Sequence, residues 1–151
     1  MTDRVPGMKR DDFRTFHPLR VRWAEVDRQD VVFNAHYFLY FDVAVTEYWR
    51  ALGIDYPAGY VAREGADLYA VKASAEFLGS ARYDDQLEVG CRIARLGRSS
   101  AQFVLGIWRG EQLLTTGELV YVNVDVATHE SRPWSQEFRA RVAGFERLAP
   151  A

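Results

Sequence analysis

The strongest constraint on this chain is a change in its hydrophobic period. From Ala35, apolar side chains recur at Phe38, Phe41, Val45, Tyr48 and Leu52. Spacings of three and four place them on one stripe of an α-helix, with Asn34 as its N-cap and Gly53 just beyond its end. From Leu68 the period becomes two, and residues 68–78, 86–96, 100–108 and 112–125 read as strands. Breaks at Gly79 and Ser80 with Asp84 and Asp85, at Gly97 and Arg98, and at 109–111 are short enough to join antiparallel neighbours. Before the helix, Leu19, Val21 and Trp23 alternate with Arg20 and Arg22, a further strand over 16–23. A helix apolar along several turns must bury that stripe, and only one sheet is available to cover it. The simplest solution is an α+β chain, with a five-stranded antiparallel sheet wrapped around one long central helix. Such a sheet has two open edges, so pairing with another copy, as a homodimer or homotetramer, is expected.

The remaining segments frame that unit. Residues 1–15 are polar and irregular. Residues 54–66 contain Pro57, Gly59 and Gly65 and read as a loop with room for a short helical turn. The chain leaves the sheet over 128–133, and 136–148 reads as a rather polar final helix. The division is therefore an irregular segment 1–15, a domain 16–133, and a C-terminal helical tail 134–151. At 151 residues, one domain with its own core is the natural reading. With 19 Lys and Arg against 21 Asp and Glu, nothing points to nucleic acid or an anionic membrane as the main partner. Cys91 is the only cysteine, so no intrachain disulfide can form and a reducing compartment fits. The start, MTDRVPGMKRDD, shows no apolar signal segment, and no run of 18 apolar residues occurs. A cytoplasmic location without membrane insertion is the expectation.

Chemistry concentrates in residues 22–37, RWAEVDRQDVVFNAHY, where Asp27 and Asp30 sit on a loop feeding a helix start. First-turn N–H groups have no intrahelical acceptor, and the helix dipole favours negative charge there. Other site classes are absent from the pattern. His17, His36 and His129 lack ligand spacing, so no metal is expected. There is no Gly-x-Ser-x-Gly elbow and no phosphate-cradling glycine loop. Cys91 alternates with Val89 and Ile93, as a core thiol does.

The stretch 27–37, DRQDVVFNAHY, resembles the Asp-x-x-Gly-x-Val-x-x-x-x-Tyr signature of hotdog-fold acyl-CoA thioesterases. It is most similar to the 4-hydroxybenzoyl-CoA thioesterase group and the Tol-Pal-associated acyl-CoA thioesterases. Residues 95–100, RLGRSS, and 117–125, GELVYVNVD, followed by Arg132 and Pro133, fit the same group, so the resemblance spans 16–133. It implies a hotdog fold that hydrolyses an acyl-CoA thioester. Asp27 would be nucleophile or general base, and the Asn34 backbone N–H would polarise the thioester carbonyl. Phe33, His36, Tyr37 and Tyr40 would shape the acyl pocket, and Arg98, Ser99 and Ser100 would meet the CoA phosphates or pantetheine arm. A plain hairpin with a surface arginine is the alternative for that turn. No cofactor is implied, because CoA arrives with the substrate. Asp30 stands where the family has Gly, Asn34 where some relatives carry His or Tyr, and His36 where many carry Asn. Glu47, on the helix where another hotdog subgroup places its carboxylate, lies off the apolar stripe and reads as a solvated or ion-paired side chain. Two other readings stay open: a hotdog dehydratase or hydratase using His36 with Asp30, and a non-catalytic acyl-CoA-binding module.

Overall fold

The computed structural model describes residues 8–151, so positions 1–7 of the expected irregular N-terminal segment lie outside the described residues. The chain forms β1 (Thr15–Arg20), α1 (His36–Leu52), α2 (Ala58–Glu64), β2 (Ala66–Phe77), β3 (Gln86–Leu96), β4 (Ser100–Arg109), β5 (Gln112–Asp125) and α3 (Gln136–Phe145). The five strands make one antiparallel sheet in the order β1-β3-β4-β5-β2. This is the wrapped sheet expected from the change of period, with β1 and β2 as its two open edges. No described helix is long and apolar enough to cross a membrane.

α1 buries more of its surface than the five-residue stripe suggested. Tyr37, Tyr40, Ala44 and Trp49 are buried alongside Phe41, Val45, Tyr48 and Leu52, whereas Phe38 is only partly buried. They meet the inward-facing side chains of the central strands, among them Val89, Cys91 and Ile93 of β3 and Phe103, Leu105 and Ile107 of β4. Helix and sheet approach closely at Gly117, where a Cβ would lie 2.4 Å from the Phe41 ring. A side chain there would push the helix off the sheet. α3 joins this core through Phe138 and Val142, with Trp134 just ahead of it. On the other face of the sheet, Met8, Phe13, Trp108 and Leu113 form a small separate cluster.

Two boundaries depart from expectation, each for a local reason. The alternation 16–23 ends as a strand at Arg20, and Trp23–Glu25 forms a 3-10 turn that leaves Trp23 exposed. The Glu25 carboxylate causes this by accepting both the backbone N–H and the guanidinium of Arg22, which bends the chain at that point. At the helix start, Asn34 is not the N-cap. That position belongs to Ala35, which already has helical dihedrals and offers no side-chain cap. Asn34 lies in the preceding turn, its carbonyl accepting from Tyr37 N–H at 3.3 Å.

Candidate active site

The residues ahead of α1 fold back on themselves as a miniature hairpin. Val26 and Val32 bridge, Asp27 N–H donates to Val31 O at 2.9 Å, and Asp30 N–H donates to Asp27 O at 3.0 Å. Inside this turn the Asp27 carboxylate accepts from Gln29 N–H through Oδ1 at 2.7 Å, a local turn that Asp side chains favour. Its second oxygen, Oδ2, has no partner among the described residues. The turn requires one residue with positive φ, and Asp30 supplies it at 61°. Asp is among the few residues other than glycine that tolerate this region. Asp30 therefore stands in the family's glycine position for its backbone, and its side chain is exposed.

Two further bonds fix the hairpin to the rest of the chain. Val32 N–H donates to Ala81 O at 2.8 Å, and Ala81 N–H donates to the Tyr37 hydroxyl at 3.1 Å. The result is a cavity of about 160 Å³ lined by Asp27, Asn34 and Tyr37 on one side and by Phe77, Gly79 and Ser80 on the other. Tyr37 is buried against the Phe77 ring, 5.2 Å between centroids. Burial pushes its phenol above the ordinary tyrosine range, so it stays protonated. Because its oxygen accepts from Ala81, the hydroxyl proton is free to donate elsewhere. The backbone N–H groups of Asn34 and Ala35 find no acceptor among the described residues, while those of His36, Tyr37 and Phe38 close 3-10-type bonds. The start of α1 thus presents two open donors beside the cavity that holds Asp27.

The other sequence-selected residues lie elsewhere. His36 packs edge-on against the half-exposed Phe33 ring at 5.9 Å, and neither lines this cavity. Tyr40 faces a different groove, of about 420 Å³, with Leu19, Leu39 and Val43, and its hydroxyl donates to Glu25 at 2.9 Å. Arg98, Ser99 and Ser100 sit at the opposite end of the sheet. Phe77 pairs with Thr115, which pairs with Ile107. Ser100 lies seven residues further along β4, about 23 Å at the rise of an antiparallel strand. Trp134 and Arg139 bond the backbone of that turn, while the Arg98 side chain stays exposed. Glu47 pairs with Arg50 on the surface of α1. Among the described residues no group of three or more His, Cys, Asp or Glu side chains is placed to hold a metal ion.

Phe77, Gly79 and Ser80 were not among the residues singled out in the sequence, where Gly79 and Ser80 registered only as a strand break. They reach the site because β2, the last strand of the sheet, ends beside the hairpin. No local pattern encodes that juxtaposition.

Residues 29–116 match the Thioesterase superfamily, more than half of the chain. The acyl-CoA thioester hydrolase YbgC of Escherichia coli is 30% identical over 109 residues, covering 72% of this chain and 80% of that protein. A protein of Aquifex aeolicus named as an esterase is 31% identical over 84 residues, which cover 56% of this chain and 64% of its own length, just under two thirds. Among solved structures, a Pseudomonas aeruginosa protein of 28% identity superimposes with a TM-score of 0.77 over 93% of this chain and 96% of that one. The fold and these matches define a hotdog-fold α+β protein. The chain belongs to the Thioesterase superfamily. The family match begins two residues after Asp27, so the case for that carboxylate rests on the geometry of the hairpin.

Proposed function

We propose that the chain hydrolyses an acyl-CoA thioester, with Asp27 as the catalytic carboxylate and the open N–H groups at the start of α1 as the oxyanion site. The observation that carries this reading is that one cavity is lined both by Asp27, whose Oδ2 has no partner among the described residues, and by Asn34, whose backbone N–H has none. As nucleophile, Asp27 Oδ2 attacks the thioester carbon, the C–S bond breaks, CoA leaves as thiolate, and water hydrolyses the resulting anhydride. As base, the same oxygen takes a proton from water while the hydroxide attacks, and the proton then passes to the departing thiolate. Both routes place negative charge on the carbonyl oxygen, where preorganised N–H donors are worth most. A thiolate leaves easily, so no further activation of the carboxylate is needed. The Tyr37 hydroxyl proton is available to the same oxygen or to the thioester. His36 lies outside the cavity, which weighs against a hydratase that would need it beside the substrate.

The cavity of about 160 Å³ is small for a substrate of this size, and the edge strand β2 leaves Tyr69, Val71 and Phe77 exposed along its length, with Leu78 just beyond. We infer that a second copy pairs with this edge and completes the site. Antiparallel pairing of two β2 edges sets the Phe77 end of one protomer beside the Ala66 end of its partner. That arrangement brings the partner's Arg98 turn to the Asp27 side, where a bidentate guanidinium suits a CoA phosphate. Sedimentation velocity checks this: a dimer or tetramer is expected, and an active monomer overturns it.

The catalytic assignment is tested with a panel of aromatic, short-chain and long-chain acyl-CoA thioesters, following free thiol. Cys91 does not interfere, because it is buried and burial pushes its thiol well above the ordinary range. Asp27→Asn should lower kcat at least 10²-fold, about 2.7 kcal/mol of barrier. Thiol release by the variant at the parental rate would refute the role of Asp27.

A further inference from the structure

The Asp27 hairpin is tied to α1 at its incoming leg as well as its outgoing one. Glu25, two residues before Asp27, is 4% exposed, and its carboxylate is fully engaged. It accepts from Arg22 N–H at 2.8 Å, from the Arg22 guanidinium at 2.7 and 3.1 Å, and from the Tyr40 hydroxyl at 2.9 Å. Burial alone would raise its pKa, but the Arg22 and Tyr40 bonds outweigh it and hold the carboxylate below its ordinary range. The Glu25 carbonyl in turn accepts from Phe33 N–H at 3.0 Å, closing the base of the hairpin. Tyr40 sits one helical turn beyond Tyr37 and is 3% exposed. Two tyrosines on one face of α1 thus hold the two legs. Tyr40 holds Glu25, and Tyr37 holds Ala81, which holds Val32.

Resting on the catalytic reading above, we infer that Glu25 and Tyr40 are positioning residues that set the Asp27 carboxylate relative to the start of α1. Neither lines the cavity with Asp27. Asp27 and the helix-start donors lie on different elements, the hairpin and α1. Between the incoming leg and α1 the register is carried by a charge-assisted bond, from the Tyr40 hydroxyl to the Glu25 carboxylate at 2.9 Å, a stronger link than a neutral hydrogen bond. The Tyr40 hydroxyl has no other partner among the described residues, so removing either group frees the incoming leg to shift. A displacement near 1 Å at a reacting group can cost about 10²-fold in rate.

The test is Tyr40→Phe, which keeps the ring and removes only the hydroxyl. It is assayed on the best thioester of the panel together with thermal unfolding. The variant should remain folded, with kcat reduced about tenfold or more and KM within about twofold of the parent. In the Asp27→Asn background the same substitution should have little further effect, because the group it positions is already gone. A merely structural tyrosine would depress both backgrounds equally. An unchanged kcat, or equal losses in the two backgrounds, overturns the inference. If Tyr40→Phe does not fold, Glu25→Gln replaces it in the same measurements with the same criteria. If Asp27→Asn retains full activity, the catalytic reading fails and the inference falls with it. If Asp27→Asn is inactive while the Tyr40 and Glu25 variants match the parent, the positioning role alone is lost.

Discussion

The two ends of α1 are finished in opposite ways. At the C-terminal end, Gly53 adopts φ 79°, and the N–H groups of Gly53 and Ile54 return to Arg50 and Trp49 carbonyls. Arg141 of α3 then donates to Leu52 O and Gly53 O at 3.2 and 3.0 Å, so these carbonyls are satisfied as well. Around this end Tyr48, Trp49, Phe103 and Phe138 pack ring against ring. At the N-terminal end there is no side-chain cap, and among the described residues two N–H groups and one oxygen of the Asp27 carboxylate have no partner. A helix terminus without partners is costly unless something else supplies them. One end of this helix is closed by its own chain, and the other leaves donors without partners among the described residues, as the proposed oxyanion site requires.

The contrast breaks most sharply at Asn34. If the backbone N–H there is the oxyanion donor, Asn34→Pro deletes it while leaving α1, which begins at His36, with its own bonds. Loss of one such donor costs about 10²–10³-fold in kcat. Asn34→Ala keeps the N–H and should lose far less. Steady-state kinetics on both, with circular dichroism to confirm the helix, decide the matter. Equal activity of the two variants would mean that the open donor has no catalytic role.

The contrast also separates what local sequence encodes from what it does not. The helix stripe, Gly53 and the alternation of β3 and β5 follow from periodicity and backbone preference, and their placement is close to that expected. Asp27 stands out as a candidate in the sequence because its motif is contiguous and sits directly ahead of the helix. The wider burial of α1 does not, because Tyr37, Tyr40 and Trp49 lie beside a narrow stripe and are buried only when the sheet curls around them. Asn34 looked like a cap because its side chain favours caps, yet the tight turn from Phe33 onward moved the cap to Ala35. Asp30 departs from the family glycine in the sequence, and its φ shows that the position is set by the backbone. Phe77, Gly79 and Ser80 depend on which strand ends beside the hairpin, a fact of topology.

At the finished end, the expected effects fall on stability. Gly53→Ala places a Cβ in a left-handed conformation and 3.1 Å from Arg141 Nη1. The strain should cost about 1–2 kcal/mol, roughly 2–4 °C in Tm per kcal/mol for a chain of this length. kcat should match the parent, since the closed end lies away from the cavity. A drop in kcat without a drop in Tm would mean that the two ends are coupled and that the division drawn here is wrong.

The smallest effect tests whether the closed end is as complete as it looks. Glu146, immediately after α3, accepts from Tyr48 hydroxyl at 3.0 Å and Ile93 N–H at 2.7 Å, both through Oε2. Its other oxygen is buried without a partner among the described residues. Burial raises the pKa of this carboxyl more than the two donors and nearby Arg92 and Arg14 lower it. The folded chain therefore binds this proton more tightly than the unfolded chain does. The contribution is fully present below the ordinary glutamate range, about 4.3, and is lost as pH rises through the folded-state value. Glu146→Gln cannot ionise, so that loss is absent from the variant. Urea unfolding at pH 4 and at pH 7.5 should show the parent losing ground to Glu146→Gln as pH increases, with kcat unaltered. Because the other carboxylates are common to both chains, the difference isolates this one group. A stability difference independent of pH would mean that Glu146 is solvated in solution and that the C-terminal end of α1 is looser than its ring packing implies.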